Sequence, residues 1–299
     1  MQPNAADDSA SPFKLLLSCP SGLYPSQVSV VFDASFDRIP HPDVQLENSI
    51  SEIWNRKSQH SSLLFNGSKF RFKIQYAGHS SSNVADSSQV ASACLHLGLT
   101  DYRTFVGTNL NPMWEKFIVE SQDECSRCQH TSNPLGNGAV VETSDKRILV
   151  LQRSNNVGEF PGHFVFPGGH PEPGEVGITA HQSNQDTELI NKMISQEMFD
   201  SISREVVEEI GVPAESLCTP IFIGLSLRAI NVRPAAFFFI KCNLPSEEIQ
   251  QLYSSAKDAY ESTQLYIVPM SELESMASNM PGCHQGGYAL YKLMLDAMK

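Results

Sequence analysis

The sequence has 299 residues, of which 41% are hydrophobic and 18% are charged, so it carries enough apolar material for one or two buried cores. Its 33 acidic residues outnumber the 21 basic ones and give a formal net charge of −12. Such a surface repels phosphate backbones and anionic lipid headgroups, which argues against a protein that coats nucleic acid or anchors to membranes through basic residues. A divalent cation would still bring a small phosphorylated ligand to an acidic protein.

The chain shows no signal for secretion or membrane insertion. Its polar, acidic start lacks a basic leader followed by an apolar run. Apolar runs such as residues 235–240 are far shorter than the roughly 20 residues that span a bilayer. The seven cysteines are odd in number and scattered, which makes a poor disulfide framework. We therefore expect a soluble, cytoplasmic protein with neither nucleic acid nor membrane as a partner.

The first part of the chain predicts a flexible tail at residues 1–11 and a small αβ subdomain with its linker at residues 12–133. Strands are predicted at residues 13–19, 28–32, 70–76 and 91–99, and a helix at residues 48–56. A polar stretch from Gly78 predicts a loop. Residues 121–135 contain Cys125, Cys128 and His130, which supply at best half of a structural zinc site. We interpret that segment as a linker or long loop with two free thiols.

The remainder, residues 134–299, predicts a second domain. The pattern indicates a hairpin at residues 139–152, a short strand at 164–166, a helix at 186–210 ended by Gly211, strands at 221–227, 235–242 and 264–268, and helices at 246–260 and near 271 and 288. This order predicts an α/β (α+β) fold in which helices pack on a mixed sheet.

The helix predicted at residues 186–210 carries a cluster of carboxylates. Glu205, Glu208 and Glu209 are three or four residues apart or adjacent, so they project from one side of the helix. Three such charges repel one another, by about 1 kcal/mol or more per pair, unless a cation joins them. Magnesium prefers oxygen ligands and takes phosphate oxygens from its substrate. The alternative is a solvated helix face on which Arg204 and Glu208 form an ordinary ion pair.

Two segments complete a spaced motif around this cluster. Gly169 and Glu175 are separated by five residues, and the segment from Arg204 to Val212 reads REVVEEIGV. The pattern resembles the box of the Nudix hydrolases, in which glycine, five residues, glutamate and seven residues precede Arg-Glu-aliphatic-any-Glu-Glu-any-Gly-aliphatic. Here 28 residues separate Glu175 from Arg204. We expect this insertion of 21 residues to extend the helix backwards, and a lid, a dimer contact or a longer packing helix would each fit it.

The resemblance implies a Nudix αβα sandwich that hydrolyses a pyrophosphate bond with Mg²⁺, for which Mn²⁺ would substitute. Glu205, Glu208 and Glu209 would hold the metal, with Glu175 as a further candidate. Glu205 or Glu209 would take a proton from the attacking water. Arg204 would orient the glutamates through charge-assisted hydrogen bonds.

Substrate contacts are predicted at three side chains and at the Pro-Gly-Gly turn. Arg153 would grip a phosphate or lie on the surface, and Tyr102 with Arg103 would contact a uracil or its phosphates, or pack beneath the loop. Gly168 and Gly169 are substrate-binding candidates in the turn. His163 and His170 flank the turn, and we expect them to make local hydrogen bonds because magnesium prefers oxygen.

Segments outside the box are similar to the Nudix subgroup of UDP-sugar diphosphatases. They are FKLLLSCP from Phe13, LGLTDYRTFVGTN from Leu97, NPLGNGA from Asn133 and EST from Glu261. The resemblance implies hydrolysis of UDP-glucose or another UDP-sugar to UMP and a sugar 1-phosphate. ADP-ribose, a dinucleotide or CoA are alternative substrates, and a nucleotide-binding module that does not cleave its ligand is an alternative class. The base, the sugar, the metal count and the oligomeric state stay open.

Overall fold

The computed structural model describes residues 11–59, 64–74, 92–155, 159–181, 186–253 and 262–299. The predicted tail up to residue 10, the polar stretch from Gly78, Tyr76, Ala91, Glu261 and the second half of the helix predicted at residues 246–260 lie outside the described residues.

The described residues form ten strands and seven α-helices. The strands are β1 Phe13–Leu23, β2 Val28–Phe32, β3 Ser68–Phe72, β4 Ala93–Asp101, β5 Gly136–Glu142, β6 Ile148–Arg153, β7 Phe164–Val165, β8 Ile221–Arg228, β9 Pro234–Lys241 and β10 Ser262–Val268. The helices are α1 Val44–Gln59, α2 Tyr102–Gly107, α3 Glu124–Arg127, α4 Thr187–Ile210, α5 Ser246–Tyr253, α6 Met270–Ala277 and α7 Gly282–Ala297. Seven strands make one sheet in the order β1-β8-β9-β5-β6-β10, with β7 paired to β6.

This large sheet is mixed and is covered on both faces. β5 and β9 pair in parallel, whereas the other pairs are antiparallel. Alternate residues of β5 enter opposite cores: Ala139 and Val141 share one with α4, and Val140 shares the other with α7. The predicted α/β class and αβα layering are thereby confirmed.

α4 is the helix predicted from the apolar spacing, and it is longer than the motif alone requires. Asp186 caps its first turn, and Gly211 ends it in the left-handed region at φ 85°. Ile194, Met198, Ile202, Val206 and Ile210 recur every four residues and are fully buried. Burying side chains of this size contributes about 1.5–3 kcal/mol each. This stripe fixes the face that α4 presents to the sheet.

The first half of α4 packs against a second, smaller sheet with the order β2-β4-β3. Ser195 Oγ donates to the Val28 carbonyl at 2.6 Å, and the Phe32 N–H donates to Asn191 Oδ1 at 2.9 Å. The described part of the insertion therefore contributes a longer packing helix, one of the three possibilities that the sequence left open. One hydrophobic core runs from the small sheet through α4 to the large sheet.

Two features of the N-terminal part go beyond the sequence prediction. β1 belongs to the large sheet, where it pairs antiparallel with β8; the domain boundary at residues 133 and 134 stays a prediction. Residues 121–135, predicted as a linker or long loop, include α3 and the buried residues 130–133. Cys125 and Cys128 are free thiols, as predicted. His130 Nδ1 lies 2.9 Å from the Ile39 carbonyl oxygen, so this histidine has a backbone partner.

Candidate active site

Two carboxylates of α4 bond directly to the Pro-Gly-Gly-His turn at residues 167–170. The Gly168 N–H donates to Glu209 Oε2 at 2.8 Å, and the His170 N–H donates to Glu205 Oε1 at 3.4 Å. From β5, Asn137 Oδ1 accepts the Gly169 N–H at 2.7 Å. These bonds join α4, the turn and the central strand β5 at one place. They bring together four of the predicted site residues, namely Gly168, Gly169, Glu205 and Glu209.

Both glycines of this turn are required by close approach. A Cβ on Gly168 would lie 2.3 Å from the Asn137 carbonyl oxygen, and a Cβ on Gly169 would lie 1.9 Å from Glu205 Oε1. Real Cβ atoms do not approach other atoms so closely. The absence of a side chain at Gly169 is what lets the Glu205 carboxylate reach the turn.

Arg204 pairs with a glutamate that the motif did not single out. Its Nη2 donates to Glu197 Oε1 at 2.8 Å, and the same oxygen accepts the Glu172 N–H at 3.1 Å. Glu197 is 4% exposed, and this desolvation raises its pKa even though Arg204 favours the charged form. Glu175 is exposed in a short 3-10 turn. Its negative charge acts on both Glu197 and Arg204 and raises the pKa of each. Glu197 lies seven residues before Arg204, and this spacing, which places both residues on one face of the helix, could have identified the pair from the sequence.

Three arginines gather around Glu159, in the loop between β6 and β7. Arg228 Nη2 lies 2.7 Å from Glu159 Oε1, and Arg233 Nη1 lies 2.8 Å from Glu159 Oε2. Arg153 Nε donates to the Glu159 carbonyl at 2.9 Å. Burial acts to raise the pKa of Glu159, but Arg233, Arg228 and Arg153 outweigh it and hold this pKa below its ordinary value. We call Arg153, Arg228 and Arg233 the arginine cluster.

His170 connects the arginine cluster to the carboxylates of α4. Its Nε2 lies 3.1 Å from Arg233 Nη2, and because a guanidinium only donates, His170 accepts at that nitrogen. Desolvation, Lys69 and Arg233 lower the pKa of His170 well below its ordinary value. The backbone N–H of this same residue meets Glu205. A single turn residue thus separates a negatively charged helix face from a group of positive charges.

Tyr102, one of the predicted substrate contacts, lies beside the arginine cluster, whereas the side chain of Arg103 extends to α1. Desolvation and the Glu159 charge raise the pKa of Tyr102, against a lowering by Arg233. Tyr102 is therefore within electrostatic reach of both partners of that ion pair. Arg103 Nη2 donates to Ser51 Oγ on α1. His163 Nδ1 lies 3.1 Å from the Pro161 carbonyl oxygen, the local bond expected of a loop histidine.

Tyr253, at the end of α5, was not singled out from the sequence. Its hydroxyl is buried and has no hydrogen-bond partner among the described residues. Desolvation raises the pKa of Tyr253, and the Glu209 charge raises it further. The hydroxyl therefore lies within electrostatic reach of one of the carboxylates that hold the turn.

The oxygen donors on α4 fit a hard divalent cation in chemical type. Glu205, Glu208 and Glu209 are half-buried and lie three or four residues apart or adjacent on α4, and each carries two carboxylate oxygens, the ligand type that such a cation takes. No three His, Cys, Asp or Glu side chains in the described part of the chain are gathered closely enough to form a metal site as they stand.

Comparison with known proteins identifies similar chains over most of the length. No family model matches the sequence. Nudix hydrolase 9 of Arabidopsis thaliana is 61% identical over 293 residues, which cover 97% of this chain and 93% of that protein. Uridine diphosphate glucose pyrophosphatase NUDT22 of Mus musculus is 33% identical over 269 residues, which cover 88% of this chain and 83% of the relative. The human protein of the same name is 31% identical over 266 residues, 88% of this chain and 84% of its own.

Solved structures align with about half of the chain. A MutT protein from Methanosarcina mazei Go1 aligns with a TM-score of 0.35 and 15% identity over 55% of this chain and 95% of its own. An Ap4A hydrolase of C. elegans, solved as a binary complex, aligns with a TM-score of 0.34 and 17% identity over 55% of this chain and 98% of its own.

Proposed function

The chain belongs to the Nudix hydrolase family, and we propose that it hydrolyses the pyrophosphate bond of a UDP-sugar such as UDP-glucose, giving UMP and a sugar 1-phosphate. The substrate class follows its relatives at 31–33% identity, which are named uridine diphosphate glucose pyrophosphatases. The reaction class is that of a hydrolase in the family to which the chain belongs.

One observation carries the proposal from the geometry. The turn at residues 167–170 meets Glu205 and Glu209 on one side and, through the His170 ring, Arg233 on the other. A diphosphate bound through a cation needs both kinds of charge close together, because carboxylates hold the cation and guanidinium groups bind phosphate oxygens. A solvated Glu-rich helix face would not direct two carboxylates onto the backbone N–H groups of one turn.

We propose Glu205, Glu208 and Glu209 as the residues that would hold Mg²⁺, with Mn²⁺ as a substitute and Glu175 as a further ligand candidate. When bound, such a cation neutralises the diphosphate charge and stabilises the oxygens of the transferring phosphoryl group. The chain's own groups do the remaining work. Glu205 or Glu209 accepts the proton of the attacking water, the new P–O bond forms, and the bridging P–O bond breaks.

Other residues position these groups. Arg204, fixed by Glu197, keeps the carboxylate turn of α4 in place. Gly168 and Gly169 bring the turn against Glu209 and Glu205, so that substrate approaches the backbone there. Arg153 and Tyr102 remain proposed substrate contacts, because Arg153 binds the Glu159 backbone carbonyl and Tyr102 lies within electrostatic reach of Glu159 and Arg233.

We also propose a cytoplasmic location. All seven cysteines lie among the described residues and are free thiols, which suits a reducing compartment. No helix in the described parts of the chain is long and apolar enough to cross a membrane.

The test is product identification by mass from a panel of nucleotide sugars, ADP-ribose, dinucleotides and CoA, run with Mg²⁺ in ¹⁸O-labelled water. We expect UMP and a sugar 1-phosphate from UDP-sugars, with the label showing which phosphorus is attacked. Glu209→Gln should abolish turnover, and Glu188→Gln, an exposed glutamate in the first turn of the same helix, is the matched control. Failure to release UMP from any UDP-sugar would defeat the substrate assignment.

A further inference from the structure

We propose that the arginine cluster is a binding site for a phosphate group of the substrate, and that Arg233 is the residue that contacts it. The inference rests on the proposed function, since it assigns one part of the diphosphate to this place. It adds Arg228 and Arg233 to the site, neither of which was predicted from the sequence.

The first argument is the balance of charge. Two guanidinium groups, those of Arg228 and Arg233, share the single carboxylate of Glu159. Arg153 lies beside them, with its Nε on the Glu159 backbone carbonyl. The ring of His170, which contacts Arg233, does not add compensating charge, because a histidine is either neutral or positive. The Arg228 side chain is 1% exposed and that of Arg233 is 20% exposed. Positive charge withdrawn from water in this way is unfavourable unless an anion joins it.

The second argument distinguishes the roles of two arginines. Arg228 is fully buried, and its Nε donates to Asn231 Oδ1 at 2.9 Å while its Nη2 binds Glu159, so it orients Glu159. Arg233 is partly exposed, with Nη1 on Glu159 and Nη2 on His170. These contacts account for two of the five N–H donors in its planar fork. Arg233 is therefore the group that combines fixed orientation with access to a ligand.

The third argument comes from the backbone that holds this ion pair. Phe160, directly after Glu159, has a φ of 48°, and Asn231 and Val232, directly before Arg233, have φ values of 54° and 46°. Non-glycine residues adopt this left-handed region rarely, and a β-branched residue such as Val232 is an outlier there. Such conformations persist where the surroundings impose them, and they cluster at ligand-binding sites. Both partners of the Glu159–Arg233 pair are thus held by unusual backbone.

The fourth argument is location. Arg233 contacts the ring of His170, and the N–H of His170 contacts Glu205. One phosphate of a diphosphate held at the carboxylates would place the other beside the arginine cluster, since the two groups share a bridging oxygen. The whole chain carries a net charge of −12, so long-range attraction does not explain anion binding. A local group of arginines is needed.

Titration of the full chain with inorganic pyrophosphate in the presence of a chelator tests this directly. Without divalent cations the α4 carboxylates repel pyrophosphate, so calorimetric binding reports the arginine cluster. We expect wild type to bind, and Arg233→Gln to raise Kd by about tenfold or more, since it removes a charge-assisted contact. Arg233→Lys keeps the charge but loses the fork, and should fall between them. Arg147→Gln, at the opposite end of β6 and 47% exposed, is the control that should bind like wild type.

Glu209→Gln separates this inference from the proposed function. It should lose hydrolysis yet bind pyrophosphate in chelator at least as tightly as wild type, because a repelling charge is gone. Where Arg233→Gln does not fold, as judged by circular dichroism, Arg153→Gln takes its place with the same expectation. The inference is overturned if wild type binds no pyrophosphate in chelator, or if a folded Arg233→Gln binds it with the wild-type Kd. Absence of UDP-sugar hydrolysis together with Arg233-dependent binding would instead reject the substrate assignment alone.

Discussion

Arg204 and Glu197 form an ion pair across two turns of α4, with 2.8 Å between Nη2 and Oε1. Glu197 is nearly inaccessible to water and also accepts the Glu172 N–H, so it ties the carboxylate turn of the helix to the segment after the Pro-Gly-Gly-His turn. Glu175, the glutamate of the motif, stands exposed instead. The insertion before Arg204 has thus supplied the arginine with a partner from its own helix.

Glu197→Gln should destabilise the protein and reduce turnover, whereas Glu175→Gln should change stability little. Glu197 is the buried member of the pair, and its substitution removes the charged acceptor of the Arg204 Nη2 and Glu172 N–H hydrogen bonds. We therefore expect the free energy of unfolding to fall by about 1–3 kcal/mol. An exposed substitution such as Glu175→Gln is expected to stay within about 0.5 kcal/mol. Urea denaturation at neutral pH measures the free energy of unfolding of both variants. Equal losses for the two variants would contradict the assigned pairing.

Gly169→Ala should separate activity from stability. The added Cβ would meet the Glu205 carboxylate at 1.9 Å, and this is the mobile end of a side chain, so the carboxylate moves while the backbone stays. We expect kcat to fall by about tenfold or more, as for a displaced catalytic group, with the free energy of unfolding changed by less than about 1 kcal/mol. Gly174→Ala is the matched control, since nothing lies within 4 Å of its Cβ position. Wild-type kcat in Gly169→Ala would reject a role for the position of Glu205.

The elements of this fold that could be predicted from the sequence are those in which apolar residues recur at a regular spacing. The apolar residues from Phe199 to Ile210 are three or four apart and Gly211 ends the run, so the helix predicted at residues 186–210 agrees with α4 to within one residue. The glutamates on that helix followed from the same spacing. Their proximity to the turn at residues 167–170 was expected from the motif, because the motif includes both segments.

The arginine cluster could not be found in this way because its members come together through sheet topology. Glu159 is 69 residues from Arg228 and 74 from Arg233. Glu159 lies in a loop, Arg228 ends β8 and Arg233 directly precedes β9, so no regular spacing of apolar residues marks any of them. Likewise β1 reads as an ordinary N-terminal strand, and only the structure pairs it with β8, some 200 residues later. Alternating hydrophobicity predicts a strand but not its neighbour.

Magnesium should stabilise the folded protein through the carboxylates of α4. A ligand that binds only the folded state at 100 times its Kd adds about 2.7 kcal/mol to the free energy of unfolding, which raises Tm. We expect this rise when Mg²⁺ replaces chelator, and its reduction in Glu205→Gln and Glu209→Gln. Glu188→Gln should keep the full rise. Thermal denaturation followed by circular dichroism measures it without any assay of turnover, and an unchanged rise in Glu209→Gln would reject that residue as a ligand.

Acidification should destabilise the protein through His284, near the start of α7. Its Nδ1 accepts the Phe166 N–H at 3.2 Å, and burial, with Arg153, Arg233 and Arg228, lowers its pKa from 6.5 to about 3. Between those pH values the unfolded chain binds a proton at this residue and the folded chain does not. Its contribution to stability is therefore complete above pH 6.5 and is lost as the pH falls towards 3, by at most about 1.4 kcal/mol per pH unit.

His284→Asn tests this source of pH dependence, because the asparagine oxygen can accept the Phe166 N–H but does not titrate in this range. Its free energy of unfolding, measured by urea denaturation from about pH 8 to about pH 4, should fall less steeply than that of wild type. His163→Asn, at a loop histidine whose Nδ1 lies against the Pro161 carbonyl, is the matched control. If wild type and His284→Asn gave parallel curves over this range, burial and the arginine cluster would not be suppressing protonation of His284, and the lowered pKa would be rejected.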